Sequence, residues 1–219
     1  AFGMINGLLV TKAGINSLIA TLGMMAILRG TAMVSTQAVS IQATVPGFTE
    51  IGTGHLGPVP IPVAAAVLFF ALFYCVLHHI PFGRYIYAVG GNVDAARLAG
   101  LPVNRIKITV FAIGGIMTAI SAFILASRLN SGQPNAGLGF ELQVIAAVVL
   151  GGVSLTGGIG TLVGAILGIL ILTVLNNGLV LLNVSSFYHD IARGIVIIIA
   201  VYLDHRRRQG MLRKFSNDA

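Results

Sequence analysis

The chain of 219 residues is 56% hydrophobic and 9% charged, with a formal net charge of +7, and its mean hydropathy is +0.95. Soluble domains carry about 25% charged residues, so this composition excludes a water-soluble core. Most of the basic residues stand at the ends of hydrophobic segments, which points to membrane topology and anionic lipid rather than nucleic acid.

Residues 1–11 read as the end of a membrane helix reaching the cytoplasm, with Lys12 and Gly14 at the turn. The chain opens at Ala1 inside an apolar run, without the charged start of a signal peptide, and so reads as a fragment. At 1.5 Å per residue Ile15–Ser35 is long enough to cross a hydrocarbon core of roughly 30 Å. Its one charge, Arg29, lies nearer the outer end and either snorkels to the interface or faces a solute path. Residues 36–61 form a polar outer loop that holds Glu50 and His55 but no Lys or Arg. Pro58, Pro60 and Pro62 favour extended chain into the next helix, with Pro62 suited to its first turn. Pro62–Ile80 returns to the cytoplasm. His78 and His79 are neighbours that point in different directions, so they read as interface anchors rather than metal ligands. Cys75, the lone cysteine, excludes an internal disulfide framework and a cysteine-based zinc site.

Residues 81–107 are the long polar interruption, with Arg84, Arg97, Arg105 and Lys107 against a single Asp94, and the excess of basic residues places them in the cytoplasm. Asn92 is a good N-cap for a short helix, Val93–Ala99, which Gly100 and Pro102 stop. A helix below roughly 12 residues is marginal alone and needs something to lie against. Ala95, Ala96, Leu98 and Ala99 cover more than one side. The helix therefore rests either on its own protein alone or on a partner with its other face.

Ile108–Ser127 leads out again, with Gly114, Thr118, Ala122 and Ala126 at a spacing that lets another helix approach. The next apolar run, Leu142–Leu150, is too short to span and enters GGVSLTGGIG, so it is either a re-entrant hairpin or part of a longer crossing. Parity favours the crossing. Arg206, Arg207, Arg208, Arg213 and Lys214 place the tail in the cytoplasm, which demands an even number of crossings after Lys107. Ile108–Ser127, a glycine-interrupted Gly139–Thr156 with Glu141 near its outer end, Ile159–Leu182 and Phe187–Leu203 satisfy this. Gly160, Gly164 and Gly168 form a ridge for close helix packing. The expected fold is all-α, a polytopic integral membrane protein with about six complete transmembrane helices and a partial one.

Gly152 to Gly157 has the spacing that opens a phosphate-binding loop, but Gly158 stands where the motif needs Lys, so ATP would have to bind a separate subunit. No paired carboxylates or nucleophile elbow occur, so the sequence points to no enzyme, cofactor or metal. Asn176 and Asn177 lie deep in a membrane segment, where an amide must find a partner and either bonds a neighbouring helix or lines a solute path. Asp190 and Arg193, three residues apart, can neutralise each other. With only Glu141 and Asp190 near segment ends, no deep carboxylate holds a coupling ion, which favours an ATP-driven permease over an ion-coupled secondary transporter.

Four stretches carry a resemblance: FGRYIYAVGGNVDAARLAGLPV from Phe82, GMINGLLVTKAGINSLIATLGMMAILRG at 3–30, LASRLNSGQP at 125–134 and ELQVIAAVVLGGVSLTGGIGTLVGA at 141–165. Together they resemble ABC-transporter permeases for monosaccharides, the ribose, arabinose, galactose and autoinducer-2 group of the branched-chain permease superfamily. The resemblance implies a single permease domain over 1–219 that lacks its N-terminal helices, with 81–107 as a cytoplasmic coupling loop. It implies that Gly91, Asn92, Asp94, Ala95, Ala96, Arg97, Leu98, Ala99 and Gly100 sit in a groove of an ABC ATPase subunit. It also implies a periplasmic sugar-binding protein, a second permease copy in a homodimer, a small uncharged sugar and a bacterial inner membrane with the C-terminus cytoplasmic. Arg29, Asn176 and Asn177 are the pathway candidates. A branched-chain amino-acid permease is the alternative.

Overall fold

Uncharged runs of Leu, Ile, Val and Ala can satisfy their backbone N–H and C=O groups away from water only within a helix or a closed barrel. The computed structural model describes residues 1–185 together with 188, 191, 194, 195 and 198. The expected crossing Phe187–Leu203, the Asp190 and Arg193 pair and the basic tail therefore lie outside the described residues. The elements in chain order are α1 (Phe2–Thr11), α2 (Ser17–Thr36), β1 (Ile41–Gln42), α3 (Phe48–Thr53), β2 (His55–Leu56), β3 (Val59–Pro60) and α4 (Ile61–His79). They continue with α5 (Pro81–Gly91), α6 (Val93–Leu98), α7 (Val103–Leu129), β4 (Ser131–Gly132), α8 (Phe140–Leu150) and α9 (Leu162–Leu181).

Among the described residues, α2, α4, α7 and α9 are long and apolar enough to cross a membrane. None of the residues of α4 is buried, and Val63, Val67, Leu68 and Leu72 stand exposed on it. Such a surface is stable against lipid or other helices and not against water. The protein is thus a multi-pass membrane protein.

The described residues form two compact units, Ala1–Ile86 with Val93–Ala136, and Tyr87–Asn92 with the described residues from Gly137 onward. In the first unit α1 packs on α7 where glycines let the backbones touch. A Cβ on Gly115 would lie 3.0 Å from the Gly3 Cα, and one on Gly7 2.9 Å from the Ile108 Cα. This corrects the expected row of Gly114, Thr118 and Ala122 by one residue, because a step of one turns a helix side chain by about 100°. At its far end α7 meets α3: Ser127, fully buried, donates to the Phe48 carbonyl, and the Phe48 ring stands edge-on to Phe123 at 5.4 Å. Ile41 pairs with Gly132 and Gln42 with Ser131, so the segment 36–61, expected as an outer loop, carries regular structure as a small folded cap. Pro62 lies in the first turn of α4 as expected.

Residues 81–107 differ from the expected loop. They are helical in α5, α6 and the start of α7, which takes in Arg105 and Lys107. Pro81 opens α5 at a position where its missing N–H costs nothing, and the run up to Val89 has residues that tolerate a helix.

In the second unit α8 and α9 run antiparallel, with Ala147 against Gly168 and Gly151 against Gly164. Ala146, Ala147 and Leu172 form the buried core between them. The expected packing ridge therefore holds at Gly164 and Gly168. Gly160 instead lies in the turn at φ +146°, before α9 begins behind its N-cap Thr161, whose Oγ1 accepts from the Gly164 N–H at 3.0 Å. The expected crossing 139–156 is helical only over the 11 residues of α8, about 16 Å and short of a core of roughly 30 Å. The physical reason is a Schellman cap. The Val153 N–H reaches the Val148 carbonyl and the Gly152 N–H the Val149 carbonyl, each at 2.9 Å, with Gly152 at φ +83°.

Candidate functional site

The connector helix α6 ends as its residues dictate. Gly100, at φ +78°, donates to the Arg97 carbonyl at 3.0 Å while the Leu101 N–H reaches the Ala96 carbonyl at 3.1 Å, a Schellman cap around the expected glycine. One face of the helix rests on α7. Ala96 is only 4% exposed, whereas Leu98 is 90% exposed. Ala96, which the resemblance counts among the residues of the ATPase groove, is therefore not on the open face. Asn92, Asp94, Ala95, Arg97, Leu98, Ala99 and Gly100 are exposed, as is Gly91 at the end of α5. Arg97 Nη1 approaches Asp94 Oδ1 at 3.9 Å with both side chains mostly in the open, a contact of small energetic weight.

In the second unit the last turn of α5 rests on the turn between α8 and α9. Gly90 and Gly91 touch Gly157 and Gly158 backbone to backbone, and the Tyr87 hydroxyl donates to the Gly160 carbonyl at 3.0 Å. Non-helical backbone buried in protein requires internal partners, and this turn has them. The Ser154 N–H donates to the Ile159 carbonyl at 2.9 Å and Gly157 to the Ser154 carbonyl at 3.2 Å, while the Thr156 N–H donates to the Ser154 Oγ at 3.2 Å.

A groove of about 130 Å³ runs between α8 and α9, lined by Phe140, Gln143, Val144, Ile169, Thr173 and Asn176 among others. Its walls are mostly apolar, with the Gln143 and Asn176 amides and the Thr173 hydroxyl as the polar groups among them. Asn176 is half-buried in it; Asn177 is exposed and not part of the lining. Arg29 is half-buried on α2.

A second, larger cavity of about 650 Å³ lies in the first unit between α1, α2 and α7, with Asn6, Thr21, Leu28, Phe111 and Thr118 on its walls. The row Gly114, Thr118 and Ala122 faces this space, which is why it makes no tight helix contact. Asn6 Oδ1 is buried without a hydrogen-bond partner among the described residues. Both hydroxyls already donate within their own helices, Thr21 to Ser17 at 2.9 Å and Thr118 to Gly114 at 2.9 Å, and keep acceptor capacity. Sequence reading missed this cavity, although Asn6 between Gly3 and Gly7 carries the same signal of a lone amide in an apolar helix that singled out Asn176.

His78 stacks on Tyr74 with ring centroids 4.2 Å apart, and its Nδ1 lies 3.0 Å from the Tyr74 carbonyl, a packing role at the end of α4.

Comparison with known proteins adds a family match over residues 1–201, to the model described as branched-chain amino acid transport system / permease component. The chain is 48% identical over 204 residues to the ribose import permease protein of Bacillus subtilis, covering 92% of this chain and 63% of that protein. It is 46% identical over 216 residues to the ribose import permease protein of Escherichia coli K12, covering 95% and 66% respectively. It is 42% identical over 208 residues to the L-arabinose ABC transporter permease protein of Azospirillum brasilense, covering 95% and 61%. The chain thus spans less than two thirds of the length of these relatives. No solved structure shows a significant match.

Proposed function

The chain belongs to the branched-chain amino acid transport system / permease component family, and from that premise we propose that it is the membrane-spanning permease of an ATP-driven importer for a monosaccharide. The observation that carries the substrate class is the similarity, at 42 to 48% identity over more than nine-tenths of the chain, to proteins named for ribose and L-arabinose transport. A branched-chain amino-acid solute, suggested by the family description, is the second reading.

In this reading a periplasmic sugar-binding protein delivers solute to the folded cap of 36–61, and two permease copies form a homodimer in the bacterial inner membrane. Gly91 to Gly100 lie in the cytoplasm against an ABC ATPase, and the C-terminus is on the same side. The exposed Leu98 supports that placement, since a lone leucine in water at the tip of a connector gains most from a partner's apolar groove. The solute path runs along the Asn176 groove, where amides and a hydroxyl can exchange hydrogen bonds with sugar hydroxyls. Arg29 on α2 and Asn177 on α9 are further pathway residues in this reading.

The test is reconstitution of the full-length permease in vesicles with its ATPase and binding protein. Uptake of labelled ribose or arabinose should require ATP and survive collapse of ion gradients. Uptake that follows a proton or sodium gradient without ATP would overturn the reading, and preference for leucine over both sugars would favour the second one.

A further inference from the structure

Three observations in the second unit concern one small contact. A Cβ added to Gly90 would lie 2.6 Å from the Gly158 backbone nitrogen, and one added to Gly157 2.9 Å from the Gly90 carbonyl oxygen, so the two backbones leave no room for a side chain. Gly157 and Gly158 stand at φ +93° and +74°, conformations that L side chains disfavour. The Tyr87 hydroxyl, one turn before Gly90, bonds the Gly160 carbonyl at 3.0 Å. The contact is therefore glycine on glycine, pinned by one hydrogen bond on its flank.

Gly91 and Asn92, the first residues of the stretch assigned to the ATPase, follow Gly90 directly. On the other side the turn leads through Thr161 into α9, which carries Asn176. The turn itself is braced by the bonds of Ser154 to Ile159 and Gly157 to Ser154. A braced turn in backbone contact has no flexible side chain to absorb a displacement, and closely packed elements shift as bodies rather than deform.

We propose that Tyr87, Gly90 and Gly158 are positioning residues that tie Gly91 and Asn92, where the ATPase-facing stretch begins, to the α8 and α9 hairpin, so that displacement of these two residues is carried to the groove at Asn176. The proposal rests on the permease reading above. It differs from a purely structural role for the glycines in what it expects of a mild variant. Gly90→Ala favours the α5 helix by intrinsic propensity, so its only cost falls at the contact.

The experiment uses the full-length permease reconstituted with its ATPase and sugar-loaded binding protein, with labelled ribose or arabinose, whichever the unmutated protein transports. Complex assembly, ATP hydrolysis and sugar taken up per ATP are measured together. Tyr87→Phe should assemble and hydrolyse ATP while uptake per ATP falls about five-fold, the size of one neutral hydrogen bond. Gly90→Ala should fall further. Gly178→Ala, a change of the same kind on α9 where the added Cβ meets open space, should match the unmutated protein. If Tyr87→Phe and Gly90→Ala both keep the normal uptake per ATP, the proposal is overturned. Should Gly90→Ala fail to fold, Tyr87→Phe decides alone, because it removes one oxygen and no packing volume. An unmutated protein that binds no ATPase overturns the permease reading, and this proposal with it, before any variant is compared.

Discussion

Gly168 on α9 lies so close beneath Ala147 on α8 that any side chain at 168 would run into the Ala147 carbonyl oxygen. One turn earlier Gly164 meets Gly151 in the same way. Within a membrane, helices gain from such backbone contact through dispersion, since lipid supplies no hydrophobic drive between them. Gly168→Ala should therefore lower stability by about 1–3 kcal/mol, the usual cost of overpacking, while Gly178→Ala on the same helix should not. Gly164→Leu should go further and reduce folded yield in membranes. Thermal unfolding in detergent, with yield after extraction, reads both. A Gly168→Ala protein as stable as the unmutated one would show that the hairpin contact carries no stability.

Asn176 and Asn177 are neighbours, yet only Asn176 lines the groove between α8 and α9. Asn176→Leu should weaken sugar uptake by about five-fold per hydrogen bond lost to the solute, read as a raised KM with assembly intact. Asn177→Leu should change KM less. Equal effects of the two would place the solute path elsewhere, with the Asn6 cavity as the next region to probe.

Much of this architecture was legible because its signals are local. Asn92 and Gly100 bracket a helix found at Val93–Leu98, Pro62 falls in the first turn of α4, and the small-residue spacing at Gly164 and Gly168 marks a real contact. The misreadings share a different cause. Charge led residues 81–107 to be read as loop, although Pro81–Gly91 is a helix, because polar residues at a membrane surface do not forbid helical backbone. The glycine interruption expected within the crossing 139–156 is present, but as a Schellman cap at Gly152 that ends α8 at Leu150, because parity constrains where the ends lie and not how much of the path is helical. Which side of α6 is covered depends on α7, a contact across the chain that no spacing within Val93–Ala99 encodes. The groove and the larger cavity are likewise products of tertiary packing.

The sidedness of the connector can be read by labelling. Cys75 is exposed on α4, so its replacement by Ala leaves no internal void and should keep the protein's stability. On that background a cysteine at the exposed Asp94 should react only with reagents entering from the cytoplasm, and one at the exposed Thr53 only from outside. Labelling of position 94 from the periplasm would invert the proposed topology.

The strongest contrast on the connector helix is between two residues two positions apart. Leu98 is 90% exposed and Ala96 only 4%, because α7 covers one side of α6 and leaves the other open. Burying a leucine side chain in a partner's groove gains about 1.5–3 kcal/mol. Leu98→Asp removes that gain and should weaken assembly with the ATPase by roughly ten- to a hundred-fold, with the isolated permease as stable as before. Ala96→Asp should behave in the opposite way. A carboxylate forced against α7 without a partner costs several kcal/mol, so this variant should lose folded permease before any effect on the ATPase can be measured. Gly100→Val should also act on the helix itself, since a β-branched residue is poorly tolerated at φ +78°. The measurement is co-purification of the ATPase at graded concentrations, paired with thermal stability of the permease alone. If Leu98→Asp binds the ATPase as tightly as the unmutated protein, the exposed leucine is not the docking contact and α6 serves only as a link between α5 and α7.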